Sequence, residues 1–327
     1  MKSIIISNVT NALSSVLSHQ QLKSLLDALN LSFIGYDVVK IETSLEDNSK
    51  KLIDSFLAAK KIEGSSEKTI KYYRNTINSV MDEIGKQIVS INTDDIRLYL
   101  SNYQEKRKVS NVTIDNVRRI LSSFFSWLED ENYILKNPIR RIHKVKTAKI
   151  IKEAFSDEDV EKLREETENS RDLAIIDFLK STGVRVGELV TLNRDDIDFV
   201  ERECIVLGKG NKERIVYFDA TAKLHLENYL GARNDDNPAL FVHLRVPNKR
   251  LEIGGVESML RNLGKKASIK KVYPHRFRRT LATTAIDKGM PIEQVQHLLG
   301  HQRIDTTLHY AIVKQQNVKQ SHRKYIG

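Results

Sequence analysis

Between residues 203 and 218 the apolar pattern changes period, from three- and four-residue spacing to two short β-branched runs. Glu203-Cys204-Ile205-Val206-Leu207 and Glu213-Arg214-Ile215-Val216-Tyr217-Phe218 flank Gly208-Lys209-Gly210-Asn211-Lys212, which reads as a β-hairpin. Residues Leu240 to Leu244 are expected to add a third strand. The rest of this half is helical. Ser156 with Asp159 caps one helix, Leu173, Ile175, Ile176 and Leu179 mark the next, and Gly183 stops it. Further helices follow from about Val256, after Pro274 and after Pro291, where a first helical turn tolerates proline.

Upstream of this half no strand pattern interrupts the helices. Leu52, Ile53, Phe56 and Leu57 form one stripe, and Ser65 and Ser66 precede Ile70, Tyr73, Ile77, Val80, Met81 and Ile84. Thr93 opens a third helix, and Val117, Ile120, Leu121, Phe124, Trp127 and Leu128 stripe a fourth that Asn137-Pro138 should end. Four such helices with short loops make a small bundle. Residues 1–45 show one helix, capped by Ser18 and Gln21 and striped by Leu22, Leu25, Leu26 and Leu29. The expected organisation is an N-terminal helical extension at 1–45, a helical bundle at 46–136, a basic linker at 137–153 and a mixed domain at 154–327. The fold class is mainly α with a small antiparallel β-sheet.

With 327 residues, 40% hydrophobic and 29% charged, the chain suits two domains with buried cores and excludes disordered and fibrous classes. No run approaches the roughly 18 apolar residues of a membrane span. The single cysteine, Cys204, fits a reducing compartment, so a cytoplasmic protein is expected.

The net charge of +10 points to an anionic partner, and its distribution says more. Lys136, Arg140, Arg141, Lys144, Lys146, Lys149 and Lys152 follow one another with no acid between, and 262–270 is a second acid-free span, continued by Lys271, Arg276, Arg278 and Arg279. Two such stretches suit contact with a phosphate backbone at more than one place, or a solvated linker and helix face.

Phosphate-loop, His-Glu-x-x-His and paired-cysteine signatures are missing from the sequence. His297 and His301 are four apart, but Gly300 breaks the helix between them, so no metal site is expected. What remains is a set of arginines, lysines, histidines and a tyrosine in the second half. Thr182-Gly183-Val184-Arg185-Val186-Gly187-Glu188-Leu189 places an arginine at a helix start, and Pro274-His275-Arg276-Phe277-Arg278 sets a histidine and an arginine about one turn apart.

Together with Gly208 to Arg214, Leu298-Leu299-Gly300-His301 and Thr306-Thr307-Leu308-His309-Tyr310, these segments closely resemble the tyrosine recombinase (phage integrase) family, in family order and spacing. They look most like Xer-type and mobile-element integrases. The resemblance implies a SAM-like helical DNA-binding domain before the catalytic domain, the two forming a C-shaped clamp on DNA. It implies catalysis by Arg185, Lys209, His275, Arg278, His301 and Tyr310. Tyr310 would be the nucleophile, Arg185 and Arg278 the phosphate clamp, and Lys209 the acid for the leaving oxygen. His275 would assist proton transfer, His301 would donate a further hydrogen bond, and Glu188 would orient Arg185. Arg276 and Phe277 stand where the family often has Asp-Leu.

The implied partners are double-stranded DNA carrying specific recombination sites, a homotetramer of this chain and accessory DNA-binding proteins, with no cofactor and no membrane. Lys136, Arg140, Arg141, Lys144, Lys146, Arg276 and Arg279 are the candidate DNA contacts, and residues 311–327 a candidate for docking on a neighbouring subunit. The expected role is integration or transposition of a mobile element. Xer-type resolution of chromosome or plasmid dimers, or a non-catalytic DNA-binding factor, are the alternatives.

Overall fold

The structure, a computed structural model, describes residues 2–36, 38, 48–147, 153–208, 212–301, 303–308 and 323. The chain divides into two compact units, 1–149 and 150–327.

The first unit holds α1 (Lys2–Leu13), α2 (His19–Ser32), α3 (Ser49–Ile62), α4 (Glu67–Ile84), α5 (Thr93–Arg107) and α6 (Asn111–Asp130). The Ser18–Gln21 capping box forms as the sequence suggests. A helix missed by that reading, α1, precedes it and packs along α2, and neither contains a buried residue. The other four helices enclose a core centred on Phe56, Ile77, Leu121 and Phe124. The Phe56 ring meets Phe124 edge-on at 5.1 Å and Trp127 at 5.7 Å, arrangements that aromatic quadrupoles favour. These rings are core. Helix α6 ends at Asp130, well before the Asn137-Pro138 stop expected from sequence. The chain turns at Asn132, whose φ of 61° a helix cannot contain.

The basic stretch after α6 is not a free connector over its described part. Ile139 is buried, and Ile142 and Val145 pack on the same core. Thr93 Oγ1 donates to the Pro138 carbonyl at 2.7 Å, and the Val145 N–H donates to Asp115 Oδ1 at 3.2 Å. Three apolar side chains spaced by three thus hold 137–147 along the bundle. Lys136, Arg140, Arg141, Lys144 and Lys146 are all exposed. Residues 148–152 lie outside the described residues.

The second unit holds α7 (Asp157–Glu165), α8 (Ser170–Thr182), α9 (Val186–Leu189), β1 (Ile197–Asp198), β2 (Glu203–Leu207), β3 (Glu213–Tyr217), α10 (Ala220–Gly231), α11 (Ile253–Lys266), α12 (Pro274–Asp287), α13 (Ile292–Leu299) and α14 (Ile304–Leu308). Helix α8 is the central element: Ala174, Ile175, Ile176, Phe178 and Leu179 are all fully buried, and it packs against α10 and α12. Gly183 ends it at φ 60°, and a Cβ there would lie 2.7 Å from Leu281 Cδ2, so glycine is required by both backbone and space.

The sheet is antiparallel in the order β1-β2-β3, with Cys204 opposite Val216 and Val206 opposite Arg214. Cys204, Val206 and Val216 turn inward, while Ile205, Leu207, Ile215 and Tyr217 face out. The third strand is 197–198 and not 240–244. Leu240, Phe241 and Val242 are core residues of a loop that makes only isolated bridges. Arg233 ties this loop by donating to the carbonyls of Ala239 and Leu240.

Candidate active site

The end of α8, the start of α9, the first turn of α12 and the end of α13 meet at one place, and each contributes a polar group foreseen from sequence. Arg185 is the residue before α9. Its backbone N–H donates to Glu188 Oε2 and its Nη1 to Glu188 Oε1, both at 2.8 Å, which closes a capping box across the first turn. Its Nη2 reaches the Gly300 carbonyl at 3.2 Å. The side chain keeps 37% exposure, whereas Glu188 is buried.

Pro274 starts α12 without wasting a donor. His275 is exposed on the first turn. Arg278, about one turn on, is the largest fully buried side chain among the described residues. Its Nη1 donates to the Gly183 carbonyl at 2.6 Å and its Nη2 to the Leu299 carbonyl, so it bridges the ends of α8 and α13. Gly300, at φ 60°, turns the chain out of α13 and presents His301.

His301 is half-buried, and its Nδ1 lies 2.9 Å from Thr307 Oγ1. Burial, followed by the positive charges of Arg278, Arg185, His275 and Arg214, pushes its pKa down to about 4, so the ring is neutral at pH 7. Glu188 is shifted the opposite way. Burial alone would raise it, but hydrogen bonds from Arg214 and from the backbone and side chain of Arg185 bring it down to about 2. Arg185, Gly208, Arg214, Gly300 and His301 are among the residues lining a cavity of about 670 Å³.

Arg185, Glu188, Arg278 and His301 are therefore together, with His275 close enough for its charge to act on His301. Lys209 and Tyr310 lie outside the described residues. The sequence reading missed two groups. Arg214 was noted only as the end of a motif, although alternation from the inward-facing Val216 puts a charge on the buried side of β3. Thr307 was likewise a motif letter without a role.

Two candidate DNA contacts need correction. Arg276 lies flat on the Phe155 ring, 4.0 Å from its centre, and donates to the carbonyls of Lys270 and Ala154. Arg279 donates to the Glu153 carbonyl. Both are buried. Their guanidinium groups fasten 153–155 to α12, because the inward positions of this helix take them away from the surface.

A model of the phage integrase family matches residues 140–317. The chain belongs to that family. An N-terminal SAM-like domain of phage integrases matches 52–135. Tyrosine recombinase XerC of Oceanobacillus iheyensis is 31% identical over 291 residues, 83% of this chain and 94% of that protein. XerC of Staphylococcus aureus strain JH9 is 32% identical over 284 residues, 81% and 93% of the two chains. This phage integrase family member is a tyrosine recombinase, an enzyme of site-specific recombination. Its fold is shared with the Tn1549 transposon integrase in complex with a circular intermediate DNA (TM-score 0.68, 19% identity, 84% of this chain and 99% of that one). It is shared too with XerH bound to a palindromic difH substrate (TM-score 0.66, 19% identity, 98% and 95%).

Among the described residues of this recombinase, no group of three or more His, Cys, Asp or Glu side chains is placed to hold a metal ion. No described helix is long and apolar enough to cross a membrane.

Proposed function

We propose that this recombinase cleaves and rejoins double-stranded DNA at specific sites through a 3′-phosphotyrosyl link to Tyr310. The observation that carries the reading is the convergence of Arg185, Arg278 and His301 from three separate elements onto the carbonyls and turns at Gly183 and Gly300. Attack on a phosphodiester builds negative charge on the non-bridging oxygens. Two planar guanidinium forks in a partly dry site answer it better than solvated ammonium groups would. A neutral His301 contributes as a hydrogen-bond donor and not as a charge.

Tyr310, with an unperturbed pKa near 10, gives up its proton with help from His275. Lys209, on the turn that follows Gly208, protonates the departing 5′ oxygen. Glu188 orients Arg185. Because the ester energy is kept in the protein link, a 5′-hydroxyl from a second duplex reseals the strand without ATP. Strand exchange between two sites fits a homotetramer on DNA, with accessory DNA-binding proteins setting direction. The exposed cations Lys136, Arg140, Arg141, Lys144 and Lys146 supply backbone contacts. Of 311–327, the segment expected to dock on a neighbouring subunit, only Arg323 is described.

Integration or transposition of a mobile element remains the first role. Identity of 31–32% to XerC proteins over most of both chains favours an Xer-type role in dimer resolution as the second.

The test starts by selecting bound duplexes from a random-sequence pool with Tyr310→Phe. A nicked suicide duplex of the selected sequence should give a covalent adduct with the wild-type chain and none with Tyr310→Phe. Tight binding without any adduct would instead mark a non-catalytic DNA-binding factor. Lys209→Ala should cut the cleavage rate severely, and much less on a duplex with a 5′-thiol leaving group.

A further inference from the structure

Arg214 stands on β3 opposite Val206, on the inward face shared with Val216, and only 8% of its side chain is exposed. Strand packing gives no reason for a charge at that place. Its partners do. Nη1 donates to Glu188 Oε1 at 2.8 Å and Nη2 to Glu188 Oε2 at 2.7 Å, a two-pronged pair, while Nε donates to the Leu298 carbonyl at 3.2 Å. The same two carboxylate oxygens receive the N–H and Nη1 of Arg185. Glu188 is thus held between two guanidinium groups, of which Arg185 is the more exposed.

Two glycines close on the pair. A Cβ at Gly300 would lie 2.9 Å from Arg214 Cδ, and one at Gly208 would lie 3.6 Å from Arg214 Nη1 and 3.7 Å from Glu188 Oε1. The base of the β2–β3 hairpin, the start of α9 and the turn before His301 are all built against this one ion pair.

We infer that Arg214 is a positioning residue of the recombination site, which neutralises Glu188 so that the charge of Arg185 is left for the scissile phosphate. The inference rests on the recombinase reading above. With Arg214 in place the three side chains sum to one positive charge. Without it they sum to zero, and a buried carboxylate with one partner would draw the remaining Arg185 donors onto itself, since an unbalanced buried charge is costly. Through Leu298 and Gly300, Arg214 also sets the turn that presents His301.

The test compares wild type, Arg214→Leu, Arg214→Lys, Glu188→Gln and the double variant Arg214→Leu/Glu188→Gln. Single-turnover cleavage of the selected suicide duplex is measured at saturating protein, below each melting midpoint, beside DNA affinity. Arg214→Leu should cleave about 100-fold more slowly, the scale of a lost charge-stabilising group, with affinity changed less than about threefold. Arg214→Lys, which keeps the charge but not the fork, should be intermediate.

The double variant, with no buried carboxylate to satisfy, should recover at least about tenfold over Arg214→Leu. Folded Arg214→Leu cleaving at the wild-type rate would overturn the inference, as would a double variant no faster than Arg214→Leu. If Arg214→Leu does not fold, the same comparison of Arg214→Lys with and without Glu188→Gln decides the matter. A wild-type chain that forms no adduct at all speaks against the recombinase reading and not against the role of Arg214 within it.

Discussion

The hydroxyl of Thr307 lies 2.9 Å from Nδ1 of His301, and Thr307 is completely buried. A neutral imidazole has one donor and one acceptor nitrogen, and the partner of one fixes the role of the other. If the Thr307 hydroxyl donates to Nδ1, Nε2 carries the proton and can donate to a phosphate oxygen. Thr307→Val keeps the shape and deletes the donor, so adduct formation should slow about tenfold, whereas Thr307→Ser should stay within about threefold of wild type. Equal rates for Val and Ser would remove Thr307 from this role.

His301 also makes stability depend on pH. Its folded pKa of about 4 lies below its ordinary 6.5 because of burial and the positive charges of Arg278, Arg185, His275 and Arg214. The unfolded chain therefore binds a proton on this residue more readily than the folded one does. The contribution is fully present above pH 6.5 and is lost as pH falls from 6.5 towards 4. After allowance for the partial exposure of the ring it amounts to about 1 to 2 kcal/mol. Urea unfolding at pH 7 and pH 5 should show wild type losing more stability than His301→Gln, and parallel losses would refute the assignment.

Arg276 is expected to matter for folding and not for binding. It covers Phe155, caps two carbonyls and lies 3.5 Å from Asp159. Arg276→Met retains part of the stacking area and abandons the polar contacts, at a cost of about 2 kcal/mol in urea unfolding. Its DNA affinity, measured where the variant is fully folded, should match wild type.

The arginine at 276 also shows what sequence could and could not reveal. Gly183, Gly300, Ser18 with Gln21 and Ser156 with Asp159 act where they stand, since each is a local backbone requirement that needs no knowledge of the fold. The stripes of α4 and α6 likewise point to the core that Phe56 and Phe124 build. The destination of a guanidinium is different. Arg276, Arg278 and Arg279 lie within four residues and are all buried, yet Arg278 bridges Gly183 and Leu299 while its neighbours hold 153–155.

Which carbonyls lie at the end of each side chain is set by packing α12 against α8, so charge and spacing alone could not sort the three. Helix α1 was missed for another reason: its apolar residues are only partly covered, so no strong stripe marks it. In 137–153, the spacing of Ile139, Ile142 and Val145 was hidden among cations.

Those cations carry the last prediction. Lys144 and Lys146 are exposed, on a segment held to the bundle by Ile142 and Val145 from one side and by the Asn111 side chain, which donates to the Lys146 carbonyl, from the other. A cation on an anchored backbone loses little freedom when it meets a phosphate, so each should release one counterion on binding. Lys144→Ala and Lys146→Ala should each lower the slope of log affinity against log salt by about 0.9, with the two changes adding. Arg140 already pairs with Glu129 at 2.9 Å, and a guanidinium that exchanges one anion for another gains less, so Arg140→Ala should change the slope by a smaller amount. Arg276→Met, with its charge turned inward, should not change it at all. Titrations of Tyr310→Phe and its variants on one selected duplex at four salt concentrations measure all four slopes. Unchanged slopes for both lysine variants would place the phosphate contacts elsewhere.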